Sequence, residues 1–274
     1  MTFSIVATDG TAWGVAVASK FLGVGTAVPA AAAGVGAIAT QSWANLAYRP
    51  DGLALLRAGK SAQETLDALT SADEQRAERQ AGIVDAQGRA ATYTGSGCNP
   101  WAGGVTGDSY AVQGNILVGP EVVDAMEKAW LASPPDAPLT RRLLAALKAG
   151  DDAGGDRRGR QSAALLVVTP EGGYGGGSDV FADLRVDDHA QPVSELARLL
   201  DLHDIYFGKP DPATLLPLDG AVADEVRDRL AALGHTDADL DKALADWAGI
   251  ENYEERLVPG QIDPVVLDKL RAAK

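Results

Sequence analysis

Apolar and β-branched residues cluster in short runs from the start of this chain. Two such runs, 2–7 and 13–18, flank Asp9-Gly10-Thr11. An Asp-Gly turn between β-rich runs predicts an antiparallel hairpin that begins at the second residue. A third apolar run, 35–40, predicts another strand. Between 52 and 69 the positions Leu53, Leu56, Ala62, Leu66 and Leu69 recur at helical spacing, and Ser61 with Glu64 has the form of a capping box. Residues 80–94 read as a second hairpin around Gln87-Gly88. A Gly-rich loop precedes a strand at 110–117, and helices follow at 122–131 and 139–149. A Gly/Asp/Arg loop at 150–160 leads into a buried strand at 162–168, and the turn at 170–173 into a last strand at 182–186.

Hairpins in this order predict an α+β protein with antiparallel sheet. They exclude a βαβ dinucleotide fold, and neither a Walker loop nor a Rossmann fingerprint occurs in the required strand-to-helix context. Beyond Pro192 the pattern is helical, at 194–203, 220–233, 237–247 and 264–273. The stretch Gly208-Lys209-Pro210-Asp211-Pro212 has the composition of a linker, so the expected domains are 1–208 and 209–274.

Composition narrows the function classes. The chain has 274 residues, 46% hydrophobic, enough to bury a substantial core. Its 38 acidic and 24 basic residues give a net charge of −14, which argues against nucleic acid and anionic membrane surfaces as partners. The single cysteine, Cys98, allows no intramolecular disulfide framework and fits a reducing compartment. No basic segment followed by an apolar one opens the chain, so a signal peptide is not expected. The Ala-rich stretch 27–39 is interrupted by Pro29 and by glycines, and it falls short of the ~20 residues of a spanning helix. The expectation is a soluble, cytoplasmic protein. His189, His203 and His235 are widely spaced, and neighbouring strand residues in Asp187-Asp188-His189 point to opposite faces, so no metal site and no cofactor are expected. A Ser–His–Asp triad lacks its nucleophile-elbow motif.

The candidate chemistry lies at the start. Methionine aminopeptidases remove Met1 when the next residue is small. Thr2 would then carry a hydroxyl nucleophile and, on its own backbone, an α-amine of pKa about 8 able to act as its base. The bland reading is that Thr2 merely follows the initiator. The longer strings weigh against it: 1–7, 15–21, 39–41, 113–117, 155–165 and 183–189 together resemble the N-terminal-nucleophile (Ntn) hydrolase superfamily, and within it the family of unknown function DUF1028. That resemblance implies a four-layer αββα sandwich with the nucleophile at the start of a strand.

More distantly, the chain looks like proteasome β-type subunits, which implies that Lys20 lowers the nucleophile's pKa and that Asp156 and Ser162 support its amine. Lys20 could equally close a strand at the surface, and Asp156 could pair with Arg157 or Arg158. Asn115, after a glycine on an apolar strand, could offer its amide N–H₂ to an oxyanion or serve a ladder. Gln41, within the resembling string 39–41, is a substrate-binding candidate. Arg157, Arg158 and Arg160 are candidates for a substrate carboxylate, against pairing with Asp151 and Asp152. Cys98 has no histidine nearby in sequence, and packing is its default role.

From about Pro210 the strings 226–235, 243–247, 251–256 and 262–267 resemble a peptidoglycan-binding-like helical module. Trp247 and Tyr253 read there as core. The functional expectation is an amidohydrolase acting through Thr2 on a small amide, ureide or lactam, with a catalytically silent binding protein for a small ligand or peptidoglycan fragment as the alternative. An exposed Ala/Val/Gly surface at 24–36 predicts a homodimer.

Overall fold

A computed structural model describes residues 2–273. The first hairpin forms as expected, from β1 (Thr2–Thr8) and β2 (Trp13–Ser19), with Ser4 against Val17 and Val6 against Val15. Asp9 Oδ1 closes its turn by accepting from the Thr11 and Ala12 amides at 2.9 and 2.8 Å. Then come β3 (Pro29–Ala32), β4 (Gly36–Ser42), α1 (Tyr48–Arg57), α2 (Ala62–Ser71), β5 (Arg79–Asp85), β6 (Ala90–Thr94), β7 (Gly103–Gly107) and β8 (Tyr110–Asn115). They are followed by α3 (Glu121–Ala132), α4 (Leu139–Asp152), β9 (Ser162–Val168), β10 (Val180–Val186) and α5 (Pro192–Phe207). The capping box of α2 is present: Ser61 Oγ accepts from Glu64 N at 3.2 Å, and Glu64 Oε2 accepts from Ser61 N at 2.8 Å.

Two of these ten strands were not legible. β3 lies in the Ala-rich stretch, whose small side chains show no alternation. β7 occupies the Gly-rich segment expected as a loop; it is the edge strand beside β8, and a Cβ on Gly103 would approach the Trp101 ring to 2.7 Å. The surface expected at 24–36 is also partly closed, because Val24 and Val28 pack into the core beside Val17 and Ala164.

The strands form a six-stranded sheet in the order β10-β9-β2-β1-β8-β7 and a four-stranded sheet β3-β4-β5-β6, with antiparallel pairing throughout. Helix α4 lies on β1, β2 and β9, and α3 on β7 and β8; α1 contacts β3 and β4, and α2 contacts β5 and β6. The two sheets contact each other through β1 and β2 against β4, and β5 against β8.

Side-chain alternation assigns the faces. Ile38 and Ile83 pack with Leu56, Leu66 and Leu69 of α1 and α2. Their neighbours Ala37, Ala39 and Val84 pack instead with Val6, Val15 and Ala111 of the other sheet. Residues of the same parity continue each strand along this inter-sheet face. On β1 they are Ser4 and Thr2, on β8 Gln113 and Asn115, on β4 Gln41, and on β5 Gly82 and Gln80. The space between the sheets is therefore apolar at one end and polar at the other.

The chain divides into two compact units, one ending at Leu199 and the other beginning at Leu200, so the division falls within α5. The second unit adds β11 (Leu216–Pro217), α6 (Gly220–Ala232), α7 (Leu240–Ile250), β12 (Gln261–Ile262) and α8 (Pro264–Ala272). Its core gathers Val226, Leu230, Leu244, Trp247, Tyr253 and Leu267, which places Trp247 and Tyr253 among core residues. Asp263 N-caps α8 through Val265 N at 2.9 Å and pairs with Arg256 at 2.6 Å. The described residues thus hold eight α-helices with antiparallel sheets, and none of those helices is long and apolar enough to cross a membrane.

Candidate active site

The polar end of the inter-sheet space is where β1 begins. Register aligns Thr2 with Asn115 and Ser19 with Ser162 across the six-stranded sheet, and Gln41 with Gln80 and Gln80 with Thr94 across the four-stranded one. Thr2 is 5% exposed, and its Oγ1 lies 3.2 Å from Ser19 Oγ. A buried hydroxyl at the first position of a central strand is thus in hydrogen-bond reach of a second hydroxyl.

Carboxamides connect the two sheets around it. Gln80 Nε2 donates to Gly114 O (2.7 Å), Thr94 Oγ1 (2.9 Å) and Gly103 O (3.2 Å). Gln80 Oε1 accepts from Gln41 Nε2 (2.8 Å) and Asn115 Nδ2 (2.9 Å). Those two donors also reach the Thr2 carbonyl, at 3.3 and 3.5 Å. Ser4 Oγ donates to Gln41 Oε1 at 2.7 Å and accepts from Gln113 Nε2 at 2.6 Å. The network fixes the main chain of Thr2 with neutral groups only, which hold a strand without a desolvated charge.

Of the residues proposed from sequence, the fold brings Gln41 and Asn115 to Thr2. The Asn115 N–H₂ group is engaged by Gln80 and the Thr2 carbonyl rather than open to a substrate oxyanion. Lys20, Asp156, Arg158 and Ser162 gather around the loop that follows β2, which begins one residue after Ser19. Asp156 accepts from Lys20 N at 2.7 Å and Arg158 N at 2.8 Å, and Arg158 Nη2 donates to Lys20 O at 2.9 Å. Ser162 Oγ donates to Phe21 O at 2.5 Å and accepts from Val24 N at 3.1 Å. These side chains staple the loop, while the Lys20 ammonium is exposed and donates to Arg160 O at 3.3 Å.

Arg160 pairs with Asp151 at 2.7 Å, and the hydrogen bond to that carboxylate raises its pKa. Arg157 is exposed and makes no ion pair among the described residues. Cys98 Sγ donates to Arg79 O at 3.3 Å. The removal of Met1, on which a free Thr2 amine depends, concerns a residue outside the described ones. Among the described residues no cluster of three His, Cys, Asp or Glu side chains could hold a metal ion.

Sequence reasoning missed Ser4, Ser19, Gln80 and Gln113. A signal was present: Thr2/Ser4, Thr92/Thr94 and Gln113/Asn115 are polar pairs at spacing two near the same ends of otherwise apolar strands.

Residues 2–196 match the family described as "Family of unknown function (DUF1028)", and residues 206–270 match the one described as "Putative peptidoglycan binding domain". Protein SPO2555 from Silicibacter pomeroyi, whose crystal structure is also assigned to DUF1028, is 33% identical; the match covers 82% of this chain and 92% of that one, with a TM-score of 0.66. Anbu (ancestral beta-subunit) from Yersinia bercovieri is 12% identical over 73% of this chain and 93% of its own, with a TM-score of 0.36. No curated protein matches this chain. The chain belongs to the DUF1028 family.

Proposed function

We propose that this protein is an amidohydrolase of the Ntn type, built on a four-layer αββα sandwich, in which Thr2 is the nucleophile once Met1 is removed. The observation that carries the reading is the placement of Thr2 at the head of central strand β1, with its hydroxyl beside Ser19 and its carbonyl held by Gln41 and Asn115. The sandwich is supported by a helix pair on each sheet and by the contact of the two sheets with one another.

The α-amine takes the Thr2 hydroxyl proton as Oγ1 attacks the substrate carbonyl carbon. The tetrahedral intermediate collapses as the C–N bond breaks, and the amine returns the proton to the leaving nitrogen. Water, deprotonated by the same amine, attacks the acyl carbon of the acyl–Thr2 ester; the C–Oγ1 bond breaks, the acid leaves, and the amine returns the proton to Oγ1. The brace of Asp156, Arg158 and Ser162 keeps the loop after β2 in place beside this end of the sheets. Arg157, exposed and without an ion pair among the described residues, is available to a substrate carboxylate. The substrate class is a small amide, ureide or lactam.

Turnover of a panel of such compounds by the parent protein and by Thr2→Ala tests the reading. Loss of an activity by 10³-fold or more, with an unchanged fold, is the expected result on the scale of nucleophile removal. Full activity in Thr2→Ala excludes Thr2 as nucleophile, and ligand binding without turnover in the parent favours a catalytically silent role.

A further inference from the structure

Beside Thr2 stands a buried acceptor with nothing to accept. Asn115 is 1% exposed, and its Oδ1 has no hydrogen-bond partner among the described residues. Buried side-chain oxygens in native proteins are nearly always paired. Turning the Asn115 amide over does not remove the anomaly. Gln80 Nε2 faces the carbonyls of Gly114 and Gly103, so Gln80 Oε1 must point the other way, toward Asn115. A reversed Asn115 would set two amide oxygens against each other at the 2.9 Å now spanned by a hydrogen bond. Two backbone carbonyls thereby dictate, through Gln80, that Asn115 presents an acceptor.

The register brings a donor nitrogen to this strand. Thr2 and Asn115 are direct partners in the β1–β8 ladder, and both side chains belong to the inter-sheet face. At the far end of the ladder Thr8 N donates to Ser109 O at 3.0 Å. Antiparallel pairing alternates every two residues, so the Thr2 nitrogen also points toward β8, where the ladder gives its one amide N–H the Asn115 main-chain carbonyl; a free α-amine has further N–H bonds to offer. Asn115 Nδ2 already reaches the Thr2 carbonyl at 3.5 Å, which sets the other branch of the same amide beside the Thr2 main chain.

We infer that Asn115 Oδ1 accepts a hydrogen bond from the α-amine of mature Thr2, which makes Asn115 the positioning residue for the catalytic base; this rests on the reading of Thr2 as an N-terminal nucleophile. A neutral α-amine has two N–H bonds and one lone pair. With one N–H on the Asn115 main-chain carbonyl and the other on Oδ1, rotation about the N–Cα bond is restricted and the lone pair stays available to the Oγ1 proton. A neutral carboxamide does this without the strong pull of a carboxylate, which would hold the amine protonated. The groups facing Asn115 from β1, β2, β4 and β5 are Thr2, Ser19, Gln41 and Gln80, all uncharged. The charges on the adjoining loop, Lys20, Asp156 and Arg158, are tied to one another.

The test is the pKa of the Thr2 amine, read by trace acetic-anhydride labelling across pH and mass spectrometry of the N-terminal peptide. It is applied to the full chain as parent, Asn115→Leu and Asn115→Asp. Asn115→Leu removes the acceptor and is expected to lower the pKa by about one unit, tenfold in the protonation equilibrium; Asn115→Asp adds charge to the acceptor and is expected to raise it. Opposite shifts are not produced by a general loosening of the site, and either variant alone suffices if the other fails to fold. An amine pKa unmoved in a folded variant overturns the role of Asn115 and leaves Thr2 as nucleophile intact. An N-terminal peptide that still carries Met1 overturns both.

Discussion

Gln80 Oε1 accepts a hydrogen bond from Asn115 Nδ2 at 2.9 Å, across the space between the two sheets. The same oxygen accepts from Gln41, and the Gln80 amide nitrogen serves Gly114, Gly103 and Thr94. Gln80 is completely buried, so each partner it abandons becomes a buried orphan worth about 1–3 kcal/mol. Gln80→Leu, close in volume, is therefore expected to lower the unfolding free energy by at least about 2 kcal/mol in urea titration. A variant as stable as the parent contradicts the account of the network.

Gly82 makes room for that network. An ideal Cβ at this position would lie 2.0 Å from Gln113 Oε1, so an alanine must displace the carboxamide that donates to Ser4. Gly82→Ala is expected to cost about 1–3 kcal/mol, the range for a buried polar group left unpaired. Combining it with Gln113→Ser, which vacates the space, should give less than the sum of the two single losses. Strict additivity in that double-mutant cycle contradicts the steric explanation.

These relationships mark how far the primary structure could be read. The β1–β2 hairpin and the Ser61–Glu64 cap were legible because turn chemistry and capping act over a few residues. Strands β3 and β7 were not, because alanine and glycine runs carry no alternation and only tertiary packing decides their state. Of the inter-sheet carboxamides, Gln41 and Asn115 were named as candidates, whereas Gln80 and Gln113 escaped for another reason. Each lies on a different sheet, and a lone polar residue on a strand reads as solvent-facing until the opposing sheet is in view. Lys20, Asp156 and Ser162 were recognisable as a group, and the fold does bring them to one loop. Their partners in the structure are mostly backbone groups of that loop and of the segment 158–160, with the Arg158 side chain on Asp156.

Asp73 supplies a pH-dependent term. Its carboxylate accepts from Arg79 Nε (2.9 Å), Asn45 Nδ2 (3.0 Å), Tyr48 Oη (3.1 Å) and Gln75 N (2.9 Å). The Arg79 hydrogen bond is the largest influence holding its pKa far below the usual carboxylate range, against the opposing effect of burial. A depressed folded-state pKa stabilises above the unfolded value, about 3.9, and that stability is lost as pH falls toward the folded value. Asp73→Asn is expected to lose about 1.5–3 kcal/mol at neutral pH, the worth of hydrogen bonds to a charged group. It should also flatten the decline in stability below about pH 4, measured by thermal unfolding against pH. An unchanged acid slope contradicts the assignment.

The nucleophile reading requires a free α-amine on Thr2, the residue whose hydroxyl meets Ser19 and whose carbonyl is held by Gln41 and Asn115. The intact mass of the chain, expressed with its native start and no N-terminal extension, tests this most directly. A mass short by one methionine residue, with Thr2 as the N-terminal residue on sequencing, is the expected result. A chain that retains Met1 in full contradicts it.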